Sequence, residues 1–197
     1  MPRKQAGKAA GKAVATLGKF KLTARTDAPD FRDFAYRPAL VTLKPRLAVP
    51  ANLNIRNQGD SSACTGFALA AVIDRLIAGS KRKSNDQAVA VSALMLYEMA
   101  LRYDEWRGEA DEGSSCRGAI KGWYNMGVCR EALYPFDPDN RADFTLEAAK
   151  DARNNTIGAY YRLGNRISDY HAALTEVGAI YCSADVHKGW DTPDAET

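Results

Sequence analysis

The stretch Gln58-Gly-Asp-Ser-Ser-Ala-Cys64 sets a side-chain amide six positions before a thiol. A cysteine is nucleophilic as its thiolate, and an amide N–H can hold the charge that develops on an attacked carbonyl oxygen. The segment that follows is strongly apolar. Phe67, Leu69, Val72, Ile73, Leu76 and Ile77 cover nearly every face of a helix over 64–79, with alanines between, and Gly79 suits its C-terminal stop. Such a helix is expected to be buried and central. Cys64 at its start would meet unpaired backbone N–H groups and the positive end of the helix dipole, which favour a thiolate. Position alone also fits a packing cysteine, because free Cys is among the most buried residue types.

Other elements must hold this pair in place. Residues 27–37 mix charges and aromatics and read as a lead-in lying across the domain. Pro45 and Pro50 flank an extended approach, where Leu53 and Ile55 alternate as in a short strand. Residues 80–90 form a polar loop. Ser92 can cap a second helix over 93–103, with Leu94, Leu96, Tyr97, Met99, Ala100 and Leu101 on a wide apolar face. The acidic stretch 104–113 has no EF-hand spacing and reads as a solvated loop. Ser114 or Ser115 can cap a third helix with the stripe Ala119, Ile120, Trp123 and Met126, stopped by Gly127. Thr145 caps a short helix to residue 154. Strands over 157–163 and 179–186 flank an amphipathic helix over 168–177, which Gly178 stops.

Two separate motifs resemble papain-family (C1-type) cysteine peptidases. One is Gln58-Gly-x-x-x-x-Cys64-x-x-Phe67-Ala68. The other runs from Gly113-Ser114 through Met126-Gly127-Val128 to Glu131-Ala-Leu-Tyr134-Pro135-Phe136. Residues 27–37 are similar to the lead-in of prokaryotic members. The resemblance implies an α+β, papain-like cysteine proteinase fold. Residues 27–155 would form a helical first domain whose central helix starts at the nucleophile. Residues 156–197 would open an incomplete β-barrel second domain. It implies Cys64 as nucleophile and Gln58 as oxyanion donor. Gly113 and Ser114 would line the substrate cleft, with no metal and no cofactor. Thr65, where many members have Trp, departs from the pattern.

This chemistry needs a base beside the thiol. The chain has two histidines, His171 and His187. In papain-type enzymes the catalytic His and its orienting Asn lie roughly 130–150 residues after the Cys. No His follows residue 187, so that region is expected to come from a further segment or a partner chain. The partners expected are thus a peptide or protein substrate and such a complement. The alternative is a non-catalytic papain-like module that binds peptides or a partner.

Charge adds a third reading. Residues 1–26 carry seven basic residues (Arg3, Lys4, Lys8, Lys12, Lys19, Lys21, Arg25) and no acid, against a net charge of +3 for the whole chain. A disordered, solvated arm is the expectation for that composition. A nucleic-acid tether would rest on charge alone, because no RRM, KH or helix-turn-helix pattern accompanies it, so no nucleic-acid partner is expected. No apolar run approaches the roughly 18 residues of a membrane span, and the start lacks the apolar core of a secretory signal. Secreted family members carry a disulfide Cys where this chain has Ser61. A reducing, cytoplasmic setting is expected, with delivery as an effector left open.

Overall fold

The computed structural model describes residues 15–17, 20–22, 27, 30–40, 42–48, 54–79, 90–104, 113–137 and 142–190. Helices dominate: α1 (Cys64–Gly79), α2 (Ala93–Tyr103), α3 (Cys116–Met126), α4 (Leu146–Ala152) and α5 (Ile167–Val177). Two 3-10 turns, Glu131–Leu133 and Lys188–Trp190, punctuate them. Strands β1 (Ala15–Leu17) and β2 (Phe20–Leu22) pair antiparallel, with Thr16 opposite Lys21. The rest of the basic arm lies outside the described residues.

Polar caps set the helix limits. Ser92 Oγ accepts the Met95 N–H at 3.0 Å, Ser115 Oγ the Gly118 N–H at 3.0 Å, and Thr145 Oγ1 the Ala148 N–H at 3.1 Å. Each satisfies a donor that a helix start leaves unpaired. Gly127 ends α3 at φ 76°, and a Cβ there would lie 1.9 Å from the Ala152 carbonyl oxygen. Only glycine fits that stop, which lays the end of α4 against the end of α3.

The core joins Leu69 and Ile73 of α1, Met95, Leu96 and Met99 of α2, and Ala119 and Trp123 of α3, with Val91, Val128 and Cys129 from the loops. Burying a Leu or Ile of this kind contributes about 1.5–3 kcal/mol. The helix buried on nearly all sides is α2, which packs against both α1 and α3. α1 buries one face through Leu69, Ala70 and Ile73 and leaves Ala68 and Ala71 exposed. Of the alanines that read as filler in a buried helix, Ala70 is packed inward, and Ala68 and Ala71 lie on the outer face.

The second half departs from expectation. Neither 157–163 nor 179–186 is assigned as a strand. The pairing seen there is one parallel bridge, in which the Tyr36 N–H donates to the Arg162 carbonyl and the Arg162 N–H to the Phe34 carbonyl, both at 2.8 Å. A strand exists through its ladder partners, and among the described residues these segments have this bridge alone. Ile55 is also not in a strand and stands 91% exposed. Leu53, most of the polar loop over 80–90 and most of the acidic loop over 104–113 lie outside the described residues. No described helix is long and apolar enough to cross a membrane.

Candidate active site

Cys64 is the first residue of α1 and half-buried. The loop before it is a closed turn. Gly59 adopts φ 57°, and the Asn57 carboxamide oxygen accepts its N–H at 2.9 Å. The Gln58 carbonyl accepts the Ser61 hydroxyl at 2.7 Å, and Gln58 Nε2 donates back to the Ser61 carbonyl at 3.1 Å. One amide hydrogen of Gln58 is therefore spent on orienting its own side chain. A primary amide has two, which leaves the second for another acceptor.

The start of α3 is drawn to the start of α1. Thr65 and Ser114 are both buried, and their hydroxyl oxygens lie 2.6 Å apart. Ser114 thus stands against Thr65, the residue after Cys64, with their hydroxyls joined. Asp104, at the end of α2, fixes the next residue: its carboxylate accepts the Ser115 N–H at 2.8 Å. Gly113 adopts φ 95° and leads into this pair. Gly66 supplies the remaining closeness, since a Cβ there would meet the Ala93 carbonyl oxygen at 2.5 Å and Tyr97 Cβ at 2.7 Å. The first turn of α1 therefore lies directly on the first turn of α2.

Arg56 anchors the loop that carries Gln58. Its guanidinium donates to Asp74 at 2.6 Å, to the Val91 carbonyl at 2.7 Å and to Glu131 at 3.2 Å. Glu131 also accepts the Ala93 and Phe136 N–H groups at 3.2 and 3.1 Å. The acidic residue of the Glu-x-x-Tyr-Pro-Phe motif is a structural hub joining that loop, α2 and the turn after α3.

The lead-in grips α3. Arg117, 6% exposed, forms a two-pronged ion pair with Asp33, the second prong at 2.7 Å. Asp33 also accepts from Arg162 at 3.1 Å, and Asp27 accepts the Arg117 backbone N–H at 3.1 Å. Burial alone would raise the Asp33 carboxyl, but hydrogen bonds from Arg117 and Arg162 outweigh it and hold it below the usual carboxylate range.

From the far side comes Tyr181, whose hydroxyl donates to the Thr65 carbonyl at 2.9 Å. It also faces the Cys116 thiol at the start of α3, and negative charge on Cys116 or Cys64 would oppose its ionisation. Burial holds the Tyr181 phenol well above its ordinary range and raises the Cys116 thiol. Cys129 belongs to the core, and burial pushes it up to about 11. Cys182 is exposed.

Sequence reasoning had no hold on Tyr181, Arg56 or Arg117. Their partners lie 116, 18 to 75, and 84 residues away respectively. The histidines lie at the edges: His171 is exposed on α5, and His187 Nδ1 accepts the Gly189 N–H at 3.1 Å within the last 3-10 turn.

No protein-family model and no curated protein matches the chain. Among solved structures it is similar to the crystal structure of xylellain, a cysteine protease from Xylella fastidiosa. The TM-score is 0.70 at 26% identity, over 85% of this chain and 66% of that one. The chain therefore spans about two thirds of the length of the xylellain chain. With the helical core and the site described above, that likeness makes the fold papain-like, the fold of a cysteine protease.

Proposed function

We propose that this chain carries the nucleophile of a papain-like, C1-type cysteine peptidase, a hydrolase acting on peptides through a Cys64 acyl-thioester. The thiolate adds to the peptide carbonyl, and Gln58 donates to the oxyanion so formed. Collapse expels the amine, which takes a proton from the base. Water, giving its proton to that base, then releases the acid and restores the thiol. Gly113 and Ser114 edge the cleft. The base is a His oriented by an Asn, both brought by a further segment or a partner chain. The same complement gives 157–163 and 179–186 the ladder partners of a barrel. No metal or cofactor enters this chemistry. Ser61, in place of the family's disulfide Cys, suits a reducing compartment.

One observation carries this reading: a half-buried thiol opens α1 in a fold shared with a cysteine protease. The test adds a complement bearing His and Asn to wild type and to Cys64→Ser, and follows peptide cleavage. Cleavage by wild type that vanishes in Cys64→Ser is the expected result. Equal cleavage by both overturns the assignment. A non-catalytic papain-like binding module is the second reading. What favours it is the placement of both histidines, one exposed on α5 and one engaged in its own turn.

A further inference from the structure

Tyr181 reaches the nucleophile's helix from a segment 116 residues further along the chain. Its hydroxyl has one proton, and that proton goes to the Thr65 carbonyl at 2.9 Å. The Cys116 thiol, at the start of α3, lies beside the same phenol. Burial raises that thiol and keeps it protonated, as it keeps the phenol protonated. Thr65 C=O and Gly66 N–H are the two ends of one peptide group. Gly66 N–H belongs to the first turn of α1, where backbone donors serve a group at the helix start. A hydrogen bond accepted at the carbonyl polarises the peptide and strengthens its N–H.

We propose that Tyr181 is a positioning residue for the Cys64 thiol, acting through the Thr65–Gly66 peptide whose carbonyl it holds. The role deepens the reading of Cys64 as nucleophile and rests on it. Burial along the segment supports it. Tyr181 is half-buried, whereas Cys182 and Ser183 after it are exposed. The segment is therefore oriented with Tyr181 inward. Among the described residues, the ionisable groups that interact with Tyr181 include Cys64 on α1, Cys116 on α3 and Asp27 on the lead-in, while Cys182 interacts with Cys116. Asp27 and the thiols would oppose a phenolate, so Tyr181 remains a donor throughout the range in which Cys64 titrates.

The test is the pH profile of iodoacetamide labelling at Cys64, read by peptide mass spectrometry on the full chain, with exposed Cys182 as the reference in each sample. In wild type the Cys64 midpoint falls below that of Cys182. Tyr181→Phe moves it upward and slows labelling at pH 7 about three- to tenfold. Cys116→Ala, which keeps the phenol, moves it the same way by less. That second variant also serves if Tyr181→Phe does not fold. A Cys64 profile distinct from Cys182 but unmoved in the variants overturns the role of Tyr181 and leaves the nucleophile standing. Coincident Cys64 and Cys182 profiles in wild type overturn the role of Tyr181, and the nucleophile itself falls if Cys64→Ser with the His- and Asn-bearing complement cleaves as wild type does.

Discussion

Thr65 Oγ1 and Ser114 Oγ lie 2.6 Å apart and out of reach of water, joining the second residue of α1 to the residue two before α3. Papain-family sequences often have Trp at the first of these positions. Here a hydroxyl occupies it, and the hydroxyl has found a partner across 49 residues.

Removing one partner leaves the other buried and unsatisfied. Ser114→Ala and Thr65→Val should each cost about 1–3 kcal/mol in urea unfolding. The double variant should cost clearly less than the two losses added, because it leaves no orphan. Strict additivity would show that the pair is not coupled.

Arg56 holds the Gln58 loop against α1, α2 and the Glu131 turn. Its side chain is 10% exposed, whereas Asp74 and Glu131 are 17% and 31% exposed. Water therefore shares part of the loss when the cation is removed. Arg56→Met should destabilise by about 2–3 kcal/mol, below the range for a fully buried pair. It should also increase amide exchange at Gly59 and Ser61. Protection in the loop equal to wild type would free Arg56 from this role.

The Asp33–Arg117 pair makes lead-in docking sensitive to acid. The folded pKa of Asp33 is depressed, so its stabilisation is complete above the unfolded carboxylate value of about 3.9 and is lost as pH falls through the lower folded value. Urea midpoints of wild type should fall from about pH 4 downward. Asp33→Asn should already be weaker by about 2–4 kcal/mol at pH 7 and show a shallower acid limb. Parallel pH curves for the two proteins would rule the pair out as the acid-labile contact.

Gly66 is where α1 and α2 touch most closely near the nucleophile. A Cβ 2.5 Å from the Ala93 carbonyl oxygen forces the helices apart, so Gly66→Ala should cost about 1–3 kcal/mol. It should also slow Cys64 labelling by displacing the first turn. Wild-type melting in that variant would contradict the close crossing.

What could be read in the sequence is what local chemistry dictates. Ser92, Ser115 and Thr145 cap helices because short hydroxyl side chains reach the free N–H groups of the first turn. Gly127 and Gly178 end helices at positive φ, as spacing after an apolar stripe suggests. Cys64 falls at the start of α1 as expected. The extended segments were less legible. The segments 157–163 and 179–186 read as strands, but a ladder depends on partners that no local pattern reveals. Tyr181 reads as one more apolar strand residue. Its role depends on where its hydroxyl ends up, and that is a property of the packed chain.

In the proposed function a peptide-binding cleft opens onto the Cys64 thiol. Labelling with a peptidyl epoxide at increasing concentration, with the adducts mapped by mass spectrometry, tests for that cleft. The expected result is a single adduct on Cys64, a labelling rate that saturates with reagent and falls with competing peptide, and no adduct in Cys64→Ser. Unsaturable labelling that follows exposure, with Cys182 modified first and Cys64 untouched, would contradict it.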